Sequence, residues 1–149
     1  MVTNCDKLRT IVMSHIIENT RISTHSTGCK VELPLLEANG DSINVYVEPT
    51  ESRFLVHDGG HINGMLFEAG PAGASQTDRR AIIALLGDLG LAFHSHRGIV
   101  FTEVDEQSLG YWVLEVGKAI TLAGSMIPRA GLSGLSISAT GTPPSQDVG

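Results

Sequence analysis

The sequence predicts an α+β domain: a mostly antiparallel sheet, made of a meander and a second hairpin, with helices packed on one face. Three observations predict it. Apolar residues alternate with period two in consecutive runs between Val31 and Val56, with no helical block among them. Hairpin signals punctuate the runs, Asn39-Gly40 in the first hairpin and Arg97-Gly98 in the second. Helical periodicity falls in separate blocks before, between and after these runs, so tight turns join the strands and the helices are segregated.

The first block is a helix over 4–19, with Leu8, Ile11, Val12, His15 and Ile16 in one stripe. That stripe is expected to pack, which makes His15 a core or boundary residue rather than a catalytic one. "RISTHST" is a weak strand. In "KVELPLLEANGD", Val31, Leu33 and Leu35 share a face, and Pro34 points to an edge strand. "SINVYVEP" comes next, with Ile43, Val45 and Val47 inward and Asn44 and Tyr46 outward, and "SRFLVHDGG" is the return strand.

"HINGMLFEAG" is a short helix or an irregular crossing that packs Ile62, Met65 and Leu66, and "PAGAS" is a loop. Ser75 with Asp78 has the spacing of a capping box, with Asp in place of Glu. The helix it opens, over 75–89, carries Ile82, Ile83, Leu85, Leu86 and Leu89, and Gly90 supplies a left-handed cap. "LAFHSH" and "IVFTEV" make the second hairpin. A last helix opens near Asp105, carries Leu109, Trp112, Val113, Val116 and Ile120, and ends near Gly124 before Pro128. Residues 1–127 thus read as one domain. Residues 128–149, rich in Gly, Ser, Thr and Pro, read as a flexible tail dispensable for folding.

The totals limit the function. A chain of 149 residues can bury a self-sufficient core. Only 17% of its residues are charged, against about 25% in a typical domain, which leaves room for apolar surface that suits a partner. The net charge is −6 and no basic cluster exceeds Arg79-Arg80, so the footprint of a nucleic-acid binder is missing. Cys5 and Cys29 have no metal-ligand spacing and read as free thiols of a cytosolic protein. "MVTNCDKLRT" has no apolar leader core, and no run approaches the roughly 18 apolar residues of a spanning helix, so a cytoplasmic location is expected.

Two clusters carry the residue types of a metal or catalytic site. In "HDGGH", His57 falls on the face of Leu55 and Asp58 on that of Val56, so the two diverge unless the chain turns at Asp58. Asp58-Gly59-Gly60 is a turn composition, in which the glycines supply positive φ and Asp58 accepts backbone amides just beyond it. Replacing His57 or His61 is then expected to leave stability nearly unchanged. In "HSH", His94 and His96 share a strand face and offer two imidazoles to one ion, for which His57, His61 or Asp58 would have to supply a third ligand. The metal site is the competing reading; the two read first as solvent-facing histidines beside a turn. The carboxylates Glu32, Glu37, Asp41 and Glu48 flank the first hairpin and read as turn and surface groups, with a divalent-ion site as the competing reading. No nucleophile elbow and no phosphate loop is present.

The order "LPLLEANGDSINVYVEPTESRFLVHDGG", "LFEAG", then "DRRAIIALLGDLGL", a hairpin and a terminal helix resembles a bacterial and phage family of unknown function. Its members read G-D-x-I-x-V-Y-V, then L-T-D-D-G, then an L-x-x-x-G stretch and an Arg-containing helix. The resemblance spans Arg21 to Thr121, and the T-D-D-G position here reads His57-Asp58-Gly59-Gly60. It implies an α+β domain carried by prophages and other mobile elements, and no known reaction.

The leading expectation is a small non-enzymatic protein that binds another protein in a mobile-element or host-defence setting, without cofactor, direct nucleic-acid contact or membrane, and with homo-oligomerisation open. The competing expectation is a metal-dependent hydrolase or nuclease. There a divalent metal would sit on His57, His61, His94 and His96, with Asp58 and His57 as the catalytic groups.

Overall fold

The computed structural model of the chain describes residues 4–37, 40–73 and 76–127. Strands β1 (Arg21–His25), β2 (Gly28–Leu36), β3 (Ser42–Pro49) and β4 (Phe54–His57) form a meander, and β5 (Ala92–His94) and β6 (Ile99–Val104) form the second hairpin. β6 pairs with β4, which gives one sheet of order β1-β2-β3-β4-β6-β5 in which every pairing is antiparallel. The chain has the predicted α+β class.

Alternation along the strands turns Val31, Leu33, Ile43, Val45, Val56, Val100 and Val104 into one buried layer. Helix α4 (Leu109–Met126) lies over it and buries Val116, Gly117, Ala119, Ile120 and Ala123. Gly117 permits that approach, because a Cβ there would collide with the Leu33 side chain and touch Ile43. Helices α2 (His61–Gly73) and α3 (Gln76–Asp88) complete the core with Ile62, Met65, Leu66, Ile82 and Leu86. Each such aliphatic side chain contributes about 1.5–3 kcal/mol when fully buried. α3 ends where Gly90 takes φ +81°, and Leu91 N–H reaches back to the Leu86 carbonyl at 2.8 Å.

Several details depart from the sequence reading. β2 is not an edge strand, since it lies between β1 and β3. β1 pairs only as far as Glu32, opposite Arg21, and the β2–β3 register shifts between Glu32 and Leu36, so Pro34 falls where no ladder needs its missing N–H. "HINGMLFEAG" is a regular helix that runs on to Gly73. Ile83 is 54% exposed, because α3 presents only Ile82 and Leu86 squarely to the core, while Val47, Leu85 and Trp112 are half-buried at its margin. Ser75, Asn39 and the tail 128–149 lie outside the described residues.

The largest departure is helix α1 (Cys5–Asn19). It is well formed: the Asn4 side chain accepts the Asp6 and Lys7 amides, and Thr20 leaves the helix in extended conformation. Yet no residue of α1 is buried, and Leu8, Ile11, Val12, His15 and Ile16 are all exposed. α4 already occupies the centre of the sheet, and α1 packs chiefly on β2 at the margin.

Candidate functional site

The ladder between β4 and β6 ends at His57 opposite Phe101, and from there the Asp58 side chain takes over the pairing. Asp58 N–H donates to the Val100 carbonyl at 3.1 Å, and Val100 N–H donates back to Asp58 Oδ1 at 2.9 Å. Oδ1 also accepts the Gly60 amide and Oδ2 the Ile62 amide, both at 2.9 Å. One carboxylate, 1% exposed, therefore closes a rung of the sheet, holds the turn and satisfies an amide in the first turn of α2. Gly59 and Gly60 have φ +68° and +85°, and a Cβ on Gly59 would also strike the Tyr46 ring. Both oxygens of Asp58 thus accept backbone amides, two on Oδ1 and one on Oδ2.

His57 points to the other face of the sheet. Its ring stacks on Tyr46 with centroids 5.4 Å apart, its Nδ1 accepts the Gly59 amide at 2.9 Å, and its Nε2 donates to Glu48 Oε2 at 2.8 Å. These bonds fix the tautomer, with the proton on Nε2. Glu48 is the hub of this face: it also accepts Thr27 Oγ1 at 2.7 Å and both terminal nitrogens of Arg97, at 3.2 and 3.0 Å. Burial raises the Glu48 pKa, but the hydrogen bonds from Arg97, Thr27 and His57 outweigh it and hold the carboxyl at about 2. A carboxylate so acidic is a poor general base near neutrality. His57 is 4% exposed, so its replacement would leave the Gly59 amide without its acceptor and take one of the donors from Glu48, contrary to the expectation that it is dispensable.

The remaining histidines lead elsewhere. His61 Nε2 bonds Glu37 Oε2 at 2.7 Å, tying α2 to the end of β2. Beside it lies a polar notch of about 420 Å³, lined by Asp41, Asn44, Tyr46, Gly59 and His61, in which Asn44 Oδ1 is buried without a hydrogen-bond partner. The strand β5 stops at His94, so His96 sits in the turn and does not share a strand face with it; the ring centroids are 6.4 Å apart. His94 Nδ1 accepts the Arg97 amide at 3.1 Å and so helps to shape that turn. The two hairpins are neighbours through β4 and β6, as a shared site would need. Even so, His57 and His61 take separate carboxylate partners. Among the described residues no three His, Cys, Asp or Glu side chains form a group that could hold a metal ion. Cys5 and Cys29 are free and exposed.

On the opposite side of the sheet lies a feature the sequence reading did not find. A groove of about 990 Å³ runs between α1 and the first half of α4. Val31, Leu33 and Phe54 form its floor, with Met13 and Ile16 on one wall and Val113 on the other. At its margins Ile22 is 67% exposed, Leu35 56% and Leu114 59%. Among the described residues, Glu106 is the only carboxylate on its lining. The sequence marks these residues as apolar but assigns them to the interior, because periodicity reports a face and not what covers it.

No protein-family model, no curated protein and no solved structure matches the chain. No helix among the described residues is long and apolar enough to cross a membrane.

Proposed function

We propose that this chain is a non-enzymatic protein-binding domain whose interface is the groove between α1 and α4. One observation carries the reading. A helix of 15 residues buries none of them, yet holds six large apolar side chains that are 39–70% exposed beside an apolar groove. Exposed apolar surface of this extent marks interaction sites in soluble proteins. The polar clusters support the same reading from the other side, since Asp58, Glu48, His57 and His61 spend their hydrogen bonds on the fold. The resemblance to a phage and bacterial family supplies the mobile-element or host-defence setting of the proposal.

The test compares wild type with Ile17→Glu and Leu114→Lys, two exposed positions on this surface that leave the core intact. Circular dichroism checks the fold, and photo-crosslinking from a probe at position 13 reads contacts in cells. Crosslinks to protein that disappear in both variants are expected. Equal crosslinking in all three proteins would sink the reading.

A further inference from the structure

We infer that the occupant of the groove is a second copy of this chain, with α1 of each copy seated in the groove of the other. The inference rests on the proposed binding role of this surface and names its partner.

α1 cannot stand alone. Helices of about 12–15 residues are marginal in water unless one face packs. Thr10, Ile11, Val12, Ile16 and Ile17 are β-branched, which lowers helix propensity further. The helix therefore needs cover that the described residues do not give. Its apolar side chains also lie on more than one side. Met13 and Ile16 wall the groove of their own copy, whereas Leu8, Ile11 and Ile17 do not line it. α1 is thus both the wall of one groove and an apolar helix without a seat.

The two halves of the match lie on one chain and side by side, which is the condition for an isologous contact: a two-fold axis joins helix to groove twice at once. The occupant must be apolar, since the lining is, and α1 contributes six of the sixteen large exposed apolar side chains among the described residues. The area suffices. Leu8, Ile11, Val12, Met13, Ile16 and Ile17, with Ile22, Leu35 and Leu114, are about half exposed and would bury roughly 400 Å² of apolar surface per copy. At about 60% apolar character that corresponds to roughly 700 Å² per copy, in the range of a stable interface.

Sedimentation equilibrium on the full chain tests this, with the mass expected to rise from 15.8 kDa toward twice that value as concentration increases. Ile17→Glu spoils the entering helix and Leu114→Lys the receiving groove; each alone is expected to weaken dimerisation at least tenfold. Mixing the two variants should restore it, because the mixed dimer keeps one unaltered helix-in-groove contact and sets Glu against Lys in the other. A wild type that is monomeric at its highest soluble concentration overturns the inference, as does one that dimerises only after removal of residues 128–149. So does a dimer indifferent to both substitutions, or variants that stay monomeric when mixed. Should wild type be monomeric while crosslinks to other proteins still vanish in the variants, the groove remains an interface and only its occupant was misassigned.

Discussion

Helices α1 and α4 both carry large apolar side chains and meet opposite fates: those of α4 gather on one buried face, whereas those of α1 lie on more than one side of a more polar helix. α4 buries Gly117, Ala119 and Ala123, its backbone comes close to the sheet at Gly117, and Val116 and Ile120 reach the core. α1 has no glycine or alanine at all; its apolar residues are large or branched. The central place over β3, β4 and β6 goes to the helix that can approach, and the other is left at the margin over β2. An apolar stripe therefore tells that a helix packs, while its small residues help to decide whether it packs within its own chain.

The contrast separates a body closed on itself from a surface open to a partner, and mutations should divide along that line. The largest loss is expected from Asp58→Ala, which leaves three amides, the part-buried one of Gly60 and the buried ones of Ile62 and Val100, without their acceptor. At about 1–3 kcal/mol per stranded donor the cost is roughly 3–6 kcal/mol, read from the urea midpoint. A loss below about 1 kcal/mol, the least that one stranded donor costs, would show that this turn does not anchor the body.

Leu86→Ala comes next, at about 2–5 kcal/mol, since Leu86 is 2% exposed in the core. An unchanged midpoint would mean that α3 faces the wrong way.

Acid should act through Glu48. Its folded pKa of about 2 lies below the ordinary 4.5, so its contribution is complete above about pH 4.5 and fades as pH falls through about 2. The stability gap between wild type and Glu48→Gln, on the order of 2 kcal/mol near neutrality, should shrink across that window. A gap constant with pH would remove the charged hub from the account.

The smallest effect belongs to the open surface. Ile17→Glu should change the stability of the dissociated chain by no more than about 0.5 kcal/mol, as exposed substitutions do. A loss comparable to Leu86→Ala would place α1 in the body and erase the contrast.

How far the sequence could be read depends on the same division. Local signals were legible: the alternation of Ile43, Val45 and Val56, the positive φ of Gly59, Gly60, Gly90 and Gly98, and the divergence of His57 from Asp58. Long-range partners were not. Arg97 and Glu48 are 49 positions apart, and Asp58 and Val100 are 42 apart, so their bonds depend on β4 lying beside β6, which no local pattern specifies. The burial of Glu37 likewise depends on His61 of α2, 24 positions away. The fate of α1 was illegible because it depends on competition with α4 for the same sheet.

Amide hydrogen exchange measured in α1 and α4 at two protein concentrations tests the central claim most directly. α4 should be protected at both, through Val116 to Ala123 in the core. α1 should exchange rapidly in dilute solution and become protected when the chain is concentrated enough to pair. Protection of α1 that equals that of α4 at every concentration, or that is missing at all of them, would contradict the account.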